Sequence, residues 1–68
     1  MGEDYISKTL SLLATAIYNI KEMKDDAENR RDLMEAAAYE GTVSNLEAAK
    51  NTLIYIQVAK KMEDVDDE

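Results

Sequence analysis

The side chains of this 68-residue chain that could do chemistry are charged groups and tyrosines, because it contains neither histidine nor cysteine. The commonest acid–base group and the most reactive nucleophile are therefore missing. Carboxylates on helix faces can hold two metals in bundle proteins, but those sites pair a Glu with a His three residues on. The acids here read as solvated carboxylates, with no catalytic, metal or cofactor site among them. Asp64, Asp66 and Glu68 alternate like the opening of a calcium loop, yet the central glycine is missing, and an acidic tail is the simpler reading. The densest basic feature is Arg30–Arg31, with Lys24 nearby. Arginine grips phosphate or carboxylate through two parallel hydrogen bonds, and Tyr18 or Tyr39 could stack on a base or ring. If several copies brought such groups together, they could hold a small anionic ligand such as a nucleotide. Against this, Asp26, Glu28, Asp32 and Glu35 flank the arginines, so internal ion pairs on a solvated face account for them more simply.

Fifteen acids against eight bases give a net charge of −7. That balance argues against nucleic-acid binding, which rests on Lys and Arg neutralising phosphates, and leaves room for a basic protein partner. The weakly polar run 10–20 is too short to span a bilayer. The start MGEDYISK is acidic where an export leader is positive, so a cytoplasmic location and no membrane partner are expected (the host cytoplasm, if the protein is phage-encoded). Sixty-eight residues make one domain, 1–68, with a frayed acidic tail at 63–68. A chain this small buries little and usually needs disulfides, a metal or self-association. Of these, self-association remains.

The elements that must position these groups are helical. Proline is absent, and Ala, Leu, Glu, Lys and Met dominate. Ile6, Leu10, Leu13, Ile17 and Ile20 alternate steps of four and three, one stripe of an amphipathic helix. A second row, Tyr5, Leu12, Ala16 and Met23, lies beside it at about 100°. Residues 21–32 carry nine charges in twelve positions, and the apolar phase shifts beyond them to Leu33, Met34, Ala37 and Ala38. The shift predicts a break near 25–29, with Asp25, Asp26 and Asn29 as candidate caps. Ser44 with Glu47 forms a capping box that would open a third helix, and Gly41 is placed to end the one before it. Between 53 and 59 the residues Leu53, Ile54, Tyr55, Ile56, Val58 and Ala59 point nearly all round a helix, which predicts burial on every side.

Tyr39-Glu40-Gly41 resembles the Trp-x-Gly turn of small secreted helical-hairpin proteins over these three residues. The resemblance implies a helical hairpin reversing at 39–41. The sequence departs from that family in Tyr for Trp and in Ala59, where the acid of a Tyr-x-x-x-acid export signal would follow Tyr55. Turn chemistry alone explains the three residues more simply.

The expected fold is all-α: a small helical hairpin or a three-helix bundle with helices at about 4–24, 27–40 and 44–63, the first two alternatively one long kinked helix. A reversal at 41–44 would lay the apolar run 53–59 against the charged segment 21–32, and a further subunit would repair that mismatch. Oligomer-interface residues are thus expected at Leu10, Leu13, Ile17, Ile20, Leu53, Ile54, Tyr55, Ile56, Val58 and Met62, with Tyr18, Arg30, Arg31 and Tyr39 as ligand or partner contacts. The functional expectation is a non-enzymatic, homo-oligomerising helical protein that binds a macromolecule. One alternative is an acidic inhibitor of the phage anti-defence or antitoxin-like kind that neutralises a basic partner. The other is an oligomer that sequesters a small anionic ligand.

Overall fold

The computed structural model describes the backbone of residues 2–66 and the side chains of residues 5–62. It is an antiparallel hairpin of two helices, α1 (Gly2–Asn29) and α2 (Leu33–Asp66), with principal extents of 57 × 15 × 11 Å. Neither helix is long and apolar enough to cross a membrane within the described residues.

The first stripe continues through the charged segment without a break. Ile6, Leu10, Leu13, Ile17, Ile20, Lys24 and Ala27 all face α2, at intermediate or full burial. In α2 the facing row is Ala36, Tyr39, Val43, Leu46, Lys50, Leu53 and Gln57. Both rows alternate steps of three and four, the spacing that keeps one face of each helix on a single seam. Among the described residues Ile17, Ala27, Ala36 and Val43 are buried, and no large side chain is fully enclosed.

The chain reverses at 30–32, through two caps that interlock. Arg31 N–H donates to the Glu28 carbonyl, and Asp32 N–H to the Ala27 carbonyl at 2.9 Å. These are the paired bonds of a Schellman ending, which requires a left-handed residue after the helix. Arg31 fills that place with φ 65°, a conformation more costly for a residue with a Cβ than for glycine. Asp32 then caps α2: its Oδ1 accepts from Glu35 N–H at 3.1 Å, and its carbonyl accepts from Ala36 N–H.

Several expectations are corrected here. The break expected at 25–29 falls at 30–32, and the cap is Asp32 rather than Asp25, Asp26 or Asn29. No third helix begins at Ser44, because α2 runs unbroken through 41–44. Gly41 does not end a helix: it lacks a positive φ and lies on the outer side, where a Cβ would meet nothing within 4 Å beyond its own helix backbone and chain neighbours. The feared mismatch disappears, since a reversal at 30–32 sets Leu53 and Gln57 beside Leu10 and Ile6. Helix α2 continues to Asp66, and the rest of the tail expected to fray lies outside the described residues. The run 53–59 is not buried all round: Ile54, Tyr55, Ile56 and Val58 are exposed, and its one polar residue, Gln57, turns inward to donate to Ser7 Oγ at 3.2 Å.

Gly41→Ala is expected to stabilise the protein by about 0.5–1 kcal/mol, as for any exposed helix-interior glycine. Asp32→Ala should cost about 1 kcal/mol through loss of the cap. Urea unfolding at fixed protein concentration measures both, and a Gly41→Ala loss would instead mean a helix end at 41.

Candidate functional site

The hairpin has two flanks beside its seam, and they differ in chemistry. Positions seven residues apart stay on one side of a helix, drifting only about 20°, so each flank can be followed along the chain. One flank is ion-paired: Lys21 Nζ meets Glu47 at 3.7 Å and Lys24 Nζ meets Glu40 at 3.9 Å across the helices, while Lys24 also meets Glu28. Lys24, Glu40, Ser44 and Glu47 line an open groove of about 380 Å³ here, together with Lys21, Asp25 and Val43. Its two lysines are paired with Glu47 and Glu40 of the same groove, and Asp25 adds a further acid, so it offers no positive charge to an anionic ligand.

The other flank carries no charge along most of its length. From α1 it takes Tyr5, Thr9, Leu12, Ala16, Asn19 and Met23, which include the second apolar row of the sequence. From α2 it takes Ala38, Thr42, Asn45, Ala49, Thr52, Ile56 and Ala59. Among the described residues charge meets this flank at the turn, where Arg30 bridges to Glu35, and at the open end, where the Lys8 ammonium lies 5.9 Å from the centre of the Tyr5 ring. The three threonines of the flank are not free polar groups. Thr9, Thr42 and Thr52 each donate their hydroxyl to the carbonyl four residues earlier, at 2.8, 2.9 and 3.1 Å. Bonding back into its own helix satisfies the hydroxyl and leaves the methyl as the outward chemistry. Leu12 is 70% exposed on this flank and Tyr5 64%. The flank is thus an apolar strip about 30 Å long at helical rise, dotted by two amides.

The candidate contact residues do not converge. Arg30 is held by Asp26 through Nε–Oδ2 at 3.0 Å and by Glu35 through Nη2–Oε2 at 3.3 Å. These hydrogen bonds, Asp26 first, hold its pKa above the ordinary value. Tyr39 is half-buried on the seam, and its hydroxyl donates to Glu35 Oε2 at 2.6 Å. That hydrogen bond, more than desolvation or the carboxylate's charge, raises the phenol pKa above 10.0. Arg30 and Tyr39 therefore serve the turn. Arg31 stands at the tip and makes no ion pair among the described residues, and Tyr18 lies exposed on the ion-paired side, about 18 Å along the axis from Arg30.

Of the interface candidates, Leu10, Leu13, Ile17, Ile20 and Leu53 lie on the seam between the chain's own helices. Ile56 belongs to the uncharged flank. Ile54, Tyr55, Val58 and Met62 form a separate exposed ridge on α2, with Tyr55 at 75%. Leu12, Ala16, Ala38 and Ala49 were not singled out as contacts, though the α1 pair could be found as the second row beside the stripe. Among the described residues no three acids converge on a point that could hold a metal ion. No family model, curated protein or solved structure matches the chain.

The Tyr39 bond gives a signed pH dependence. A raised phenol pKa means stability present in full below the ordinary value of 10.0 and lost as pH rises through the folded-state value. Tyr39→Phe should be less stable than the parent at neutral pH, and the gap should shrink above about pH 10. Urea midpoints from about pH 8 to about pH 11 check this, and a constant gap would count against the bond.

Proposed function

We propose that this protein is a non-enzymatic helical hairpin that associates with itself and acts by binding a macromolecule. The observation that supports this reading is the uncharged flank, an exposed apolar strip on a chain where 34% of residues are charged. A compact monomer of 7.7 kDa would expose about 4,300 Å², whereas this hairpin exposes 5332 Å². The excess is about what one partner covers in a standard interface, roughly 800 Å². A second copy suits the strip because a net charge of −7 disfavours contact between copies wherever charge is displayed. All seven surplus acids lie in the terminal stretches 1–4 and 63–68; residues 5–62 carry eight acids and eight bases. A neutral body fits self-association better than it fits mimicry of nucleic acid, where acids should cover one face. With the strip occupied, the ridge Ile54, Tyr55, Val58 and Met62 stays accessible. Lys60 and Lys61 beside it favour a partner segment whose apolar side is edged with acids.

A second reading has one observation in its favour. Arg31 occupies a backbone conformation that glycine would adopt more cheaply, and such positions are kept at functional sites when the side chain is needed. The need would be an anionic ligand, a nucleotide for instance, held at the hairpin tip. A thermal-shift screen of nucleotides tests it: stabilisation lost in Arg31→Gly supports this reading, and no stabilisation of the parent removes it.

For the first reading, light scattering behind size exclusion should give at least twice 7.7 kDa at micromolar concentration. Ala49→Glu should shift the protein towards monomer by about tenfold or more in dissociation constant, because it buries an unpaired charge in the strip. A parent that is monomeric at about 100 μM would remove the reading, since it would bind more weakly than folded dimers of this interface size.

A further inference from the structure

We infer that the uncharged strip is a second helix seam, filled by a second copy lying turn beside turn, with α1 of each hairpin along α2 of the other. This rests on the self-association proposed above and states which residues of the two copies meet.

The strip has the spacing of a seam. Its α1 rows, from Tyr5 to Met23, and its α2 rows, from Ala38 to Ala59, alternate steps of three and four, as the inner rows do. On α1 they lie about 100° round the helix from the inner stripe. That is close to the right angle between the two neighbours of a helix in a square four-helix bundle. Two layers of aligned helices are related by a two-fold whose axis runs in the plane between them, either along the hairpins or across them. The residues of the strip distinguish the two.

An axis along the hairpins leaves every residue at its own level, so symmetry fixes the register. Within the hairpin Gln57 bonds to Ser7 and Lys24 meets Glu40. Counting from those pairs sets Ala59 level with Tyr5, Thr52 with Leu12, and Asn45 with Asn19. Between copies the same residues then face each other. Tyr5 meets Ala59 of the partner, and Leu12 meets Thr52. Within one residue of level, Ile56 meets Thr9 and Met23 meets Thr42. Each time a large side chain faces a small one, the pattern that lets layers interdigitate. Ala16 meets Ala49 at mid-strip, which permits close approach. Asn19 and Asn45 are the only amides of the strip, one on each helix, and they meet each other. Facing amides can answer each other's N–H and C=O groups, and one polar residue in an apolar seam specifies register.

An axis across the hairpins, with the whole strip covered, would set α1 on α1 and α2 on α2. Tyr5 would meet Met23 and Ala38 would meet Ala59, large on large and small on small. The amides would face Thr9 and Thr52, whose hydroxyls already donate to their own helices, so the amide oxygens would lack a donor. The arrangement along the hairpins does bring the acidic chain ends of both copies to one end of the bundle. Physiological salt limits that repulsion to about 8 Å, and the packing along the strip outweighs it.

Cysteine pairs test the arrangement, because the chain has no cysteine of its own and a disulfide needs Cα atoms within about 7 Å. Ala16→Cys and Ala49→Cys chains, one of them isotopically heavy, are mixed and mildly oxidised at physiological salt. The expected main product is the disulfide between the two kinds of chain, with little from Ala49→Cys chains alone. A dominant disulfide between Ala49→Cys chains marks the axis across the hairpins and overturns the inference while leaving self-association standing. A random mixture of products, or a dimer that forms no disulfide, overturns it in the same way. Should the alanine variants fail to associate, Leu12→Cys with Thr52→Cys repeats the test in a neighbouring layer. Light scattering that finds only monomer for the parent overturns both the arrangement and self-association.

Discussion

Two helices share a single seam, and the rest of this structure follows from that limit. Each helix can cover only one row against its neighbour, while α1 carries two apolar rows and the later part of α2 is apolar in nearly every direction. The seam takes Ile6, Leu10, Leu13, Ile17 and Ile20 from α1, and Ala36, Val43, Leu46 and Leu53 from α2. Helix α2 is unbroken over 34 residues, so the rotation that turns Val43 and Leu46 inward also fixes its distal part. There it turns Gln57 inward and leaves Ile54, Ile56 and Val58 outside. Rotating α2 to bury Ile54 and Val58 would expose the row nearer the turn. The exposed apolar surface is therefore a consequence of register, and a bundle of more than two helices is what would use it.

The turn depends on the same register. Asp32 is followed by a row that starts at Ala36 and keeps its phase through Val43 and Leu46, so nothing in the seam asks for an interruption at Gly41. Glycine and a Ser-x-x-Glu pattern are local signals, and both were legible at 41–47. They mislead because Gly41 falls on the outward side of α2, where a missing side chain costs helix propensity but forfeits no contact. The true reversal uses an arginine in the left-handed position and an aspartate cap, held by the Asp26–Arg30–Glu35–Tyr39 chain of hydrogen bonds. No single residue there advertises a turn. The all-helical class and the α1 stripe were legible, because periodicity over many residues outweighs any one residue.

The uncharged flank was half legible for a related reason. Tyr5, Leu12, Ala16 and Met23 stand out as a second row because polar residues separate them from the rest of α1. Their counterparts on α2 are small: Ala38, Thr42, Ala49 and Thr52 read as helix formers or solvated hydroxyls. Only the bonding of each threonine back to its own helix changes that reading, turning a polar residue into an outward methyl. For Arg30 the simpler reading, internal ion pairs with flanking acids, is the one the hairpin displays. Arg30 looks like a free recognition group in the sequence, but i, i+4 geometry delivers Asp26 to it, and the turn delivers Glu35.

Net charge is a poor guide to what such a chain can approach, because it averages over regions that differ in sign. A value of −7 suggests a body that repels its own kind. Residue by residue, the surplus belongs to the stretches 1–4 and 63–68, and residues 5–62 are balanced. The acids nearest the seam are neutralised within the hairpin by Lys21, Lys24 and Arg30, and this pairing is concentrated on the ion-paired flank and at the turn. On a balanced body whose one flank carries no charged residue in its rows from 5 to 23 and from 38 to 59, the charge of the chain as a whole says little about what that flank can meet.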